Sequence, residues 1–290
     1  MEHPKQILLI VNPISGDKNK NKIIERIEKK AKSNDLEVST YKTTGKNDLE
    51  SIKEKIEKIN PHRIIVVGGD GTIKLCVDAL ENKDIPLGVI PAGSANGMAV
   101  DLEIPLDIKK AVHTALNKDP KNIDVLNING ETAIHISDLG INAALVKKYD
   151  ESSVRGKLGY ALQSIPTLID FKDPFRFKVK ANDNLKEGSA MMIAIANARK
   201  YGNGAVINPL GKLNDGKFEI LIFKTLQINK ILQTVLNKIP LDDDFVEVIS
   251  TDYAEIETTN PIPFQIDGEY IAETKNITIR MEKKQLAIVY

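Results

Sequence analysis

At 290 residues the chain is long enough for two ordinary domains, and its 42% apolar content is that of a globular protein. Forty basic residues balance forty acidic ones, which excludes the broad positive field of a nucleic-acid partner, and no apolar run approaches the ~18 residues of a membrane-spanning helix. One cysteine, Cys76, excludes an internal disulfide, and the scattered His3, His62, His113 and His135 lack the spacing of a zinc site.

The first residues pass directly into a strand pattern without the pattern of a secretory signal, and a cytoplasmic location is the expectation. From residue 7 to about residue 117, short β-branched runs alternate with amphipathic stretches of helical length, the pattern of a parallel sheet flanked by helices. Strands are predicted over 7–11, 37–41, 63–67 and 87–90. Helices are predicted over 18–34, 48–60, 73–81 and 107–117, the first on the spacing of Ile23, Ile24, Ile27 and Ala31. This is a Rossmann-like α/β domain, assigned to residues 1–122.

After Lys118-Asp119-Pro120 the pattern changes. Strand-like segments at 124–128 and 132–137 flank Asn129-Gly130, a strong two-residue hairpin signal. Further strands are expected at 175–180, 191–196, 218–223, 245–249, 253–258 and 277–280, giving an antiparallel β-sandwich domain over 123–290. Helices are expected at 157–171, kinked by Pro166, and at 228–239. Leu158, Leu162, Ile165, Leu168 and Ile169 form an apolar face near Arg155 and Lys157, readable as core or as a lipid-docking face. A sandwich edge offers a route to a homodimer, and no residue pattern singles one out.

Chemistry concentrates in three loops at the carboxyl ends of the predicted parallel strands, where open α/β sheets bind ligands. Gly68-Gly69-Asp70-Gly71-Thr72 follows the third strand, where glycines let backbone N–H groups approach phosphate and the next helix adds its dipole. Asp70 can reach a Mg²⁺ ion or its water. Asn12-Pro13-Ile14-Ser15-Gly16 and Pro91-Ala92-Gly93-Ser94-Ala95-Asn96-Gly97 occupy the equivalent positions after the first and fourth strands. Each alone reads equally well as a turn and helix cap; together they predict a shared nucleotide site.

These three strings, at these separations, resemble the diacylglycerol kinase catalytic-domain family, which includes bacterial lipid kinases, sphingosine kinases and ceramide kinases. The resemblance continues through Asp124, Asn208-Pro209, Leu213-Asn214-Asp215-Gly216 and Asp267-Gly268-Glu269, and so spans nearly the whole chain. It implies ATP held between an α/β domain and a β-sandwich domain, with a lipid hydroxyl at a membrane surface attacking the γ-phosphate. Asn12, Thr43, Gly68, Gly69, Asp70, Gly71, Thr72, Ile73, Lys74, Ser94 and Asn96 would line the nucleotide. Glu269 would be the general base, and Asp70 and Asp124 would organise Mg²⁺ and its waters. Lys212, Asp215 and Lys217 correspond to a structural Mg²⁺ site of some bacterial members, although Asp-Gly before a strand also reads as an ordinary turn. Asp267-Gly268-Glu269, read from residues alone, is a hairpin turn.

Two positions depart from the family pattern. Gly97 stands where many bacterial members carry an aspartate, and Asp17 stands where a basic residue is common, with Lys18 as a candidate substitute. An NAD kinase shares Gly-Gly-Asp-Gly-Thr but carries a Thr-Pro-Thr-Gly-Ser-Thr-like segment that is absent here. A non-catalytic nucleotide or lipid sensor of the same fold is the other alternative, weighed against the presence of both Asp70 and Glu269.

Overall fold

The computed structural model describes residues 5–81, 83–94, 96–151, 173–201, 205–225 and 245–290. The helices expected at 157–171 and 228–239, and the apolar face from Leu158 to Ile169, lie outside these residues. The chain forms two units, one of residues 1–123 and 284–290 and the other of 124–283.

The first unit opens with β1 (Lys5–Val11), α1 (Lys20–Lys32), β2 (Leu36–Lys42) and α2 (Asp48–Ile59). It continues through β3 (Arg63–Gly68), α3 (Asp70–Leu80), β4 (Leu87–Pro91), α4 (Gly97–Asp101), α5 (Ile108–Asn117) and β5 (Pro120–Ile123). β2, β1, β3 and β4 lie side by side in parallel. Ile7 to Val11 and Ile64 to Val67 are each fully buried, as unbroken β-branched and leucine runs require of strands covered on both faces. The stripe Ile23, Ile24 and Ile27 of α1 packs with Ala111, Val112 and Ala115 of α5 against one face of this sheet. Asn19 and Asp107 cap these helices by accepting the N–H of Lys22 at 3.1 Å and Lys110 at 2.9 Å.

The second unit contains β6 (Leu126–Ile128), β7 (Glu131–Ala133), β8 (Ile136–Gly140), α6 (Ile141–Glu151), β9 (Phe175–Ala181) and β10 (Asn184–Ala190). β11 (Met192–Ala196), β12 (Lys200–Tyr201), β13 (Ala205–Val206), β14 (Phe218–Phe223), β15 (Val246–Thr251), β16 (Tyr253–Ile266) and β17 (Glu269–Met281) follow. All but the small β12–β13 pair join one antiparallel sheet. β16 makes this a sandwich, since its first half pairs with β9 and its second with β8, with a register shift between Glu257 and Ile262 where the strand bends. Phe177, Ile193, Phe218, Ile220, Phe264 and Ile279 meet in its interior.

The last strand, β18 (Leu286–Val289), corrects the expected boundary. Residues after 283 return to the first unit, where β18 lies parallel to β4 and antiparallel to β5. Leu286, Ile288 and Val289 thereby bury an apolar segment that the alternation of the second domain does not distinguish. Pro120 is the first residue of β5, at the sheet edge, a place where a residue without an N–H is tolerated. The reading of 124–128 as one strand is corrected likewise: the chain leaves one sheet at Ile123 and joins the other at Leu126. The strand expected over 132–137 is two strands, β7 and β8.

Candidate functional site

In the first unit the chain runs from β1 outward to β2 and then crosses back to β3 on the other side of β1. The carboxyl ends of β1 and β3 therefore flank the sheet's topological switch point, where open α/β sheets form their ligand crevice. The loops at that end are hydrogen-bonded to one another. Asn12 donates from its backbone to Val67 O at 3.0 Å and from Nδ2 to Thr72 Oγ1 at 3.3 Å. Ser15 Oγ donates to Ala92 O at 3.3 Å, and Ala92 N donates to Gly68 O at 2.9 Å. Gly16 has φ +51°, and a Cβ there would lie 2.7 Å from Ala92 O, so a residue without a side chain is needed.

Asp70 links the second loop to the third. Its Oδ2 accepts the Gly97 N–H at 2.8 Å and its Oδ1 the Met98 N–H at 3.0 Å. Asn96 closes the third loop on itself, accepting the Gly93 N–H at 3.0 Å and donating to Gly93 O at 3.1 Å. Ser94 is exposed on this loop. The helix after β3 begins at Asp70 rather than Ile73, so Asp70, Gly71 and Thr72 form its first turn. None of the glycines there has a positive φ. Gly68 is required for packing, because a Cβ would meet Thr72 Oγ1 at 2.5 Å. Ile73 is a core residue, 1% exposed, and the buried Lys74 ammonium pairs with Asp78 at 3.0 Å, so both side chains are committed within the helix and its surroundings.

Lys18 does not act as a free basic substitute after Ser-Gly. Its ammonium donates to Pro91 O at 2.9 Å and Leu106 O at 3.1 Å, fastening the first loop to the third. Lys20 donates to Ser15 O and Lys18 O; burial lowers its pKa, with Asp17 opposing and Lys18 adding to that effect. Thr43 follows β2 and donates its N–H to Val11 O at 2.9 Å. The loop it opens is held by Asp48, which the motifs do not flag. Its carboxylate accepts the Thr44 N–H at 2.9 Å, the Gly45 N–H at 2.7 Å and the Tyr41 hydroxyl at 2.7 Å. Burial opposes ionisation of Asp48, and these donors outweigh it, so the carboxyl titrates below its ordinary range.

In the second unit Asp124 is 2% exposed, and its Oδ2 accepts the Gly216 N–H at 2.8 Å while its own N–H donates to Leu213 O at 2.6 Å. It thus holds the segment containing Lys212, Asp215 and Lys217. Asp215 Oδ1 accepts the Lys217 N–H at 3.2 Å in a turn ahead of β14. Among the described residues no three His, Cys, Asp or Glu side chains gather as a metal site.

Asp267 and Gly268 connect β16 to β17 with φ +51° and +91°, the positive pair of a type I′ hairpin turn. Asp267 also anchors the turn, since its two oxygens accept the N–H groups of Ile134 at 2.8 Å and His135 at 2.9 Å. Glu269, exposed, is the first residue after this doubly fixed turn. Among the described residues no helix is long and apolar enough to cross a membrane.

The diacylglycerol kinase catalytic domain model matches residues 6–128, and that of the YegS C-terminal NAD kinase beta sandwich-like domain matches 136–290. The chain belongs to the diacylglycerol kinase catalytic-domain family. It is a lipid kinase. It is 28% identical to a diacylglycerol kinase of Bacillus subtilis over 276 residues, covering 92% of this chain and 90% of that one. Identity to the lipid kinase YegS of Escherichia coli K12 is 29% over 236 residues, 78% of each chain. A solved structure from Bacillus anthracis shares the fold, with a TM-score of 0.82 over 100% of this chain and 98% of that one at 24% identity.

Proposed function

We propose that this lipid kinase transfers the γ-phosphoryl group of ATP to the hydroxyl of a diacylglycerol-like or sphingoid-like acceptor, with Glu269 as general base. The observation that carries the nucleotide part is the joining of three small polar loops at the β1/β3 switch point, beside the N-terminus of the 11-residue helix α3. Backbone N–H groups at such a helix start favour phosphate, and Asn12, Gly68 to Thr72, Ser94 and Asn96 stand on or directly beside these loops.

Mg²⁺ fits this donor set. It is bound through one or two carboxylates, waters and substrate phosphates rather than by an all-protein cage, and the described residues offer single carboxylates rather than clusters. When bound it neutralises charge on the transferring phosphoryl group. Asp70 would serve it through water, because a carboxylate has about four lone-pair sites and two backbone donors do not exhaust them. Asp124 is assigned the same task. A second, structural Mg²⁺ site is proposed at Lys212, Asp215 and Lys217, with Asp215 supplying the carboxylate.

Glu269 accepts the acceptor hydroxyl proton as the new O–P bond forms and ADP departs. The anchored Asp267-Gly268 turn directly before Glu269 supports this role by holding the backbone that carries it. An acceptor resident in a bilayer requires the enzyme to work peripherally at the membrane surface. Lipid-dependent ADP formation should fall by roughly 10² or more in Glu269→Ala, with ATP affinity and thermal stability retained. Turnover within twofold of the parent would remove Glu269 from the mechanism.

A further inference from the structure

Behind the Asp267-Gly268-Glu269 turn lies a buried chain of polar side chains that no motif marks. Gln265 and Asp138 are neighbours across the β16–β8 pair, and both are 0% exposed. Gln265 Oε1 accepts the Gly268 N–H at 2.6 Å. Its Nε2 donates to Asp138 Oδ2 at 2.6 Å and to Ile136 O at 3.4 Å. The same Asp138 oxygen accepts from Asn142 Nδ2, on the first turn of α6, at 2.8 Å. Asn142 thus orients Asp138, Asp138 orients the Gln265 amide, and the amide holds the peptide next to Glu269.

Burying a carboxylate and an amide in a sandwich costs free energy that two apolar side chains would not. A turn needs only its own φ values to reverse the chain, and Asp267 already ties it to Ile134 and His135. The hydrogen bond from the Gly268 N–H to the Gln265 side-chain amide adds a second constraint. The Asp267 side chain and the Gly268 N–H are thus each held, on the two residues that lead into Glu269, and a base that must be positioned closely gains from such support.

We infer that Gln265 is a positioning residue for Glu269, with Asp138 and Asn142 as its supports. The inference rests on the proposed role of Glu269, and the two can be separated. Gln265→Leu removes the amide at similar volume; the double variant Gln265→Leu with Asp138→Leu removes both partners and guards against unfolding from a stranded carboxylate. Gln265→Glu keeps the acceptor for the Gly268 N–H but places two carboxyl groups together, so one must hold a proton.

The first readout needs no acceptor. Amide exchange of Gly268 should rise about tenfold or more in the leucine variants while β8, β11 and β14 keep their protection; unchanged exchange at Gly268 overturns the inference. The second uses γ-labelled ATP and dioctanoylglycerol in detergent micelles. Gln265→Leu should lower kcat roughly 10- to 100-fold with little change in KM for ATP, and Gln265→Glu should regain turnover as pH falls. In a Glu269→Gln background, Gln265→Leu should cause no further loss, because it acts through the missing group. An equal additional loss there overturns the positioning role. If Glu269→Gln alone leaves turnover intact, the base assignment fails, and the exchange result still decides whether Gln265 holds the turn.

Discussion

Replacing Asp70 by alanine tests how the nucleotide loops are assembled. The substitution removes the acceptors of the Gly97 and Met98 N–H groups, at 2.8 and 3.0 Å, and both of those residues are buried. An orphaned buried donor costs about 1 to 3 kcal/mol, and Asp70 is only partly buried, so water offsets part of the loss and about 2 to 4 kcal/mol is expected. That is well below the ~5–15 kcal/mol of a typical domain, so the variant folds, with a midpoint lower by roughly 5 to 12 °C. Asp70→Asn keeps one acceptor and should fall between the two. Thermal unfolding measures the global effect, and amide exchange at Gly97 and Met98 measures the local one. An unchanged midpoint with unchanged protection at both amides would refute the link between the second and third loops.

Asp48 gives a pH-dependent prediction. Its folded pKa is depressed, so its stabilisation is fully present above about pH 4, the unfolded range, and is lost as pH falls through the folded value. Asp48→Asn should therefore lower the unfolding midpoint at pH 7, and the difference from the parent should shrink in acid; a constant difference across pH would show that the charge is not responsible. Gly16→Ala must strain φ +51° and displace Ala92 O from 2.7 Å, costing about 1 to 3 kcal/mol and raising KM for ATP; steady-state kinetics beside a melt would show both. At the proposed structural Mg²⁺ site, EDTA should lower the parent's melting midpoint and have no such effect on Asp215→Ala, and equal responses would remove that site.

The parallel half of the fold is legible because its strands are buried on both faces: Ile64 to Val67 and Ile7 to Val11 leave little room for another reading. The three loops are legible for a related reason, since small polar strings directly after such strands fall at one sheet edge by topology alone. What each carboxylate touches is not. Asp70 reads as a phosphate-site residue, yet its hydrogen-bond partners lie 27 and 28 positions further on, at Gly97 and Met98. Lys18 reads as a free cation and is tied to carbonyls of Pro91 and Leu106.

The second half is less legible in its edges. β10 is almost wholly exposed and shows no apolar alternation, and α6 has a mixed face that periodicity does not single out. β18 is short and pairs with strands far earlier in the chain, which no local signal records. Gln265 lies inside a strand pattern, where one polar residue among apolar ones reads as an outward face; its 0% exposure becomes visible only with Asp138 beside it.

The most direct test of the central claim is phosphoryl transfer itself. Purified protein with Mg²⁺ and γ-labelled ATP, offered diacylglycerol, monoacylglycerol, ceramide, a sphingoid base, phosphatidylglycerol and NAD in parallel, should place label in a lipid and lose that transfer in Glu269→Ala. Label in NAD alone, or ATP binding with no label in any acceptor, would contradict it.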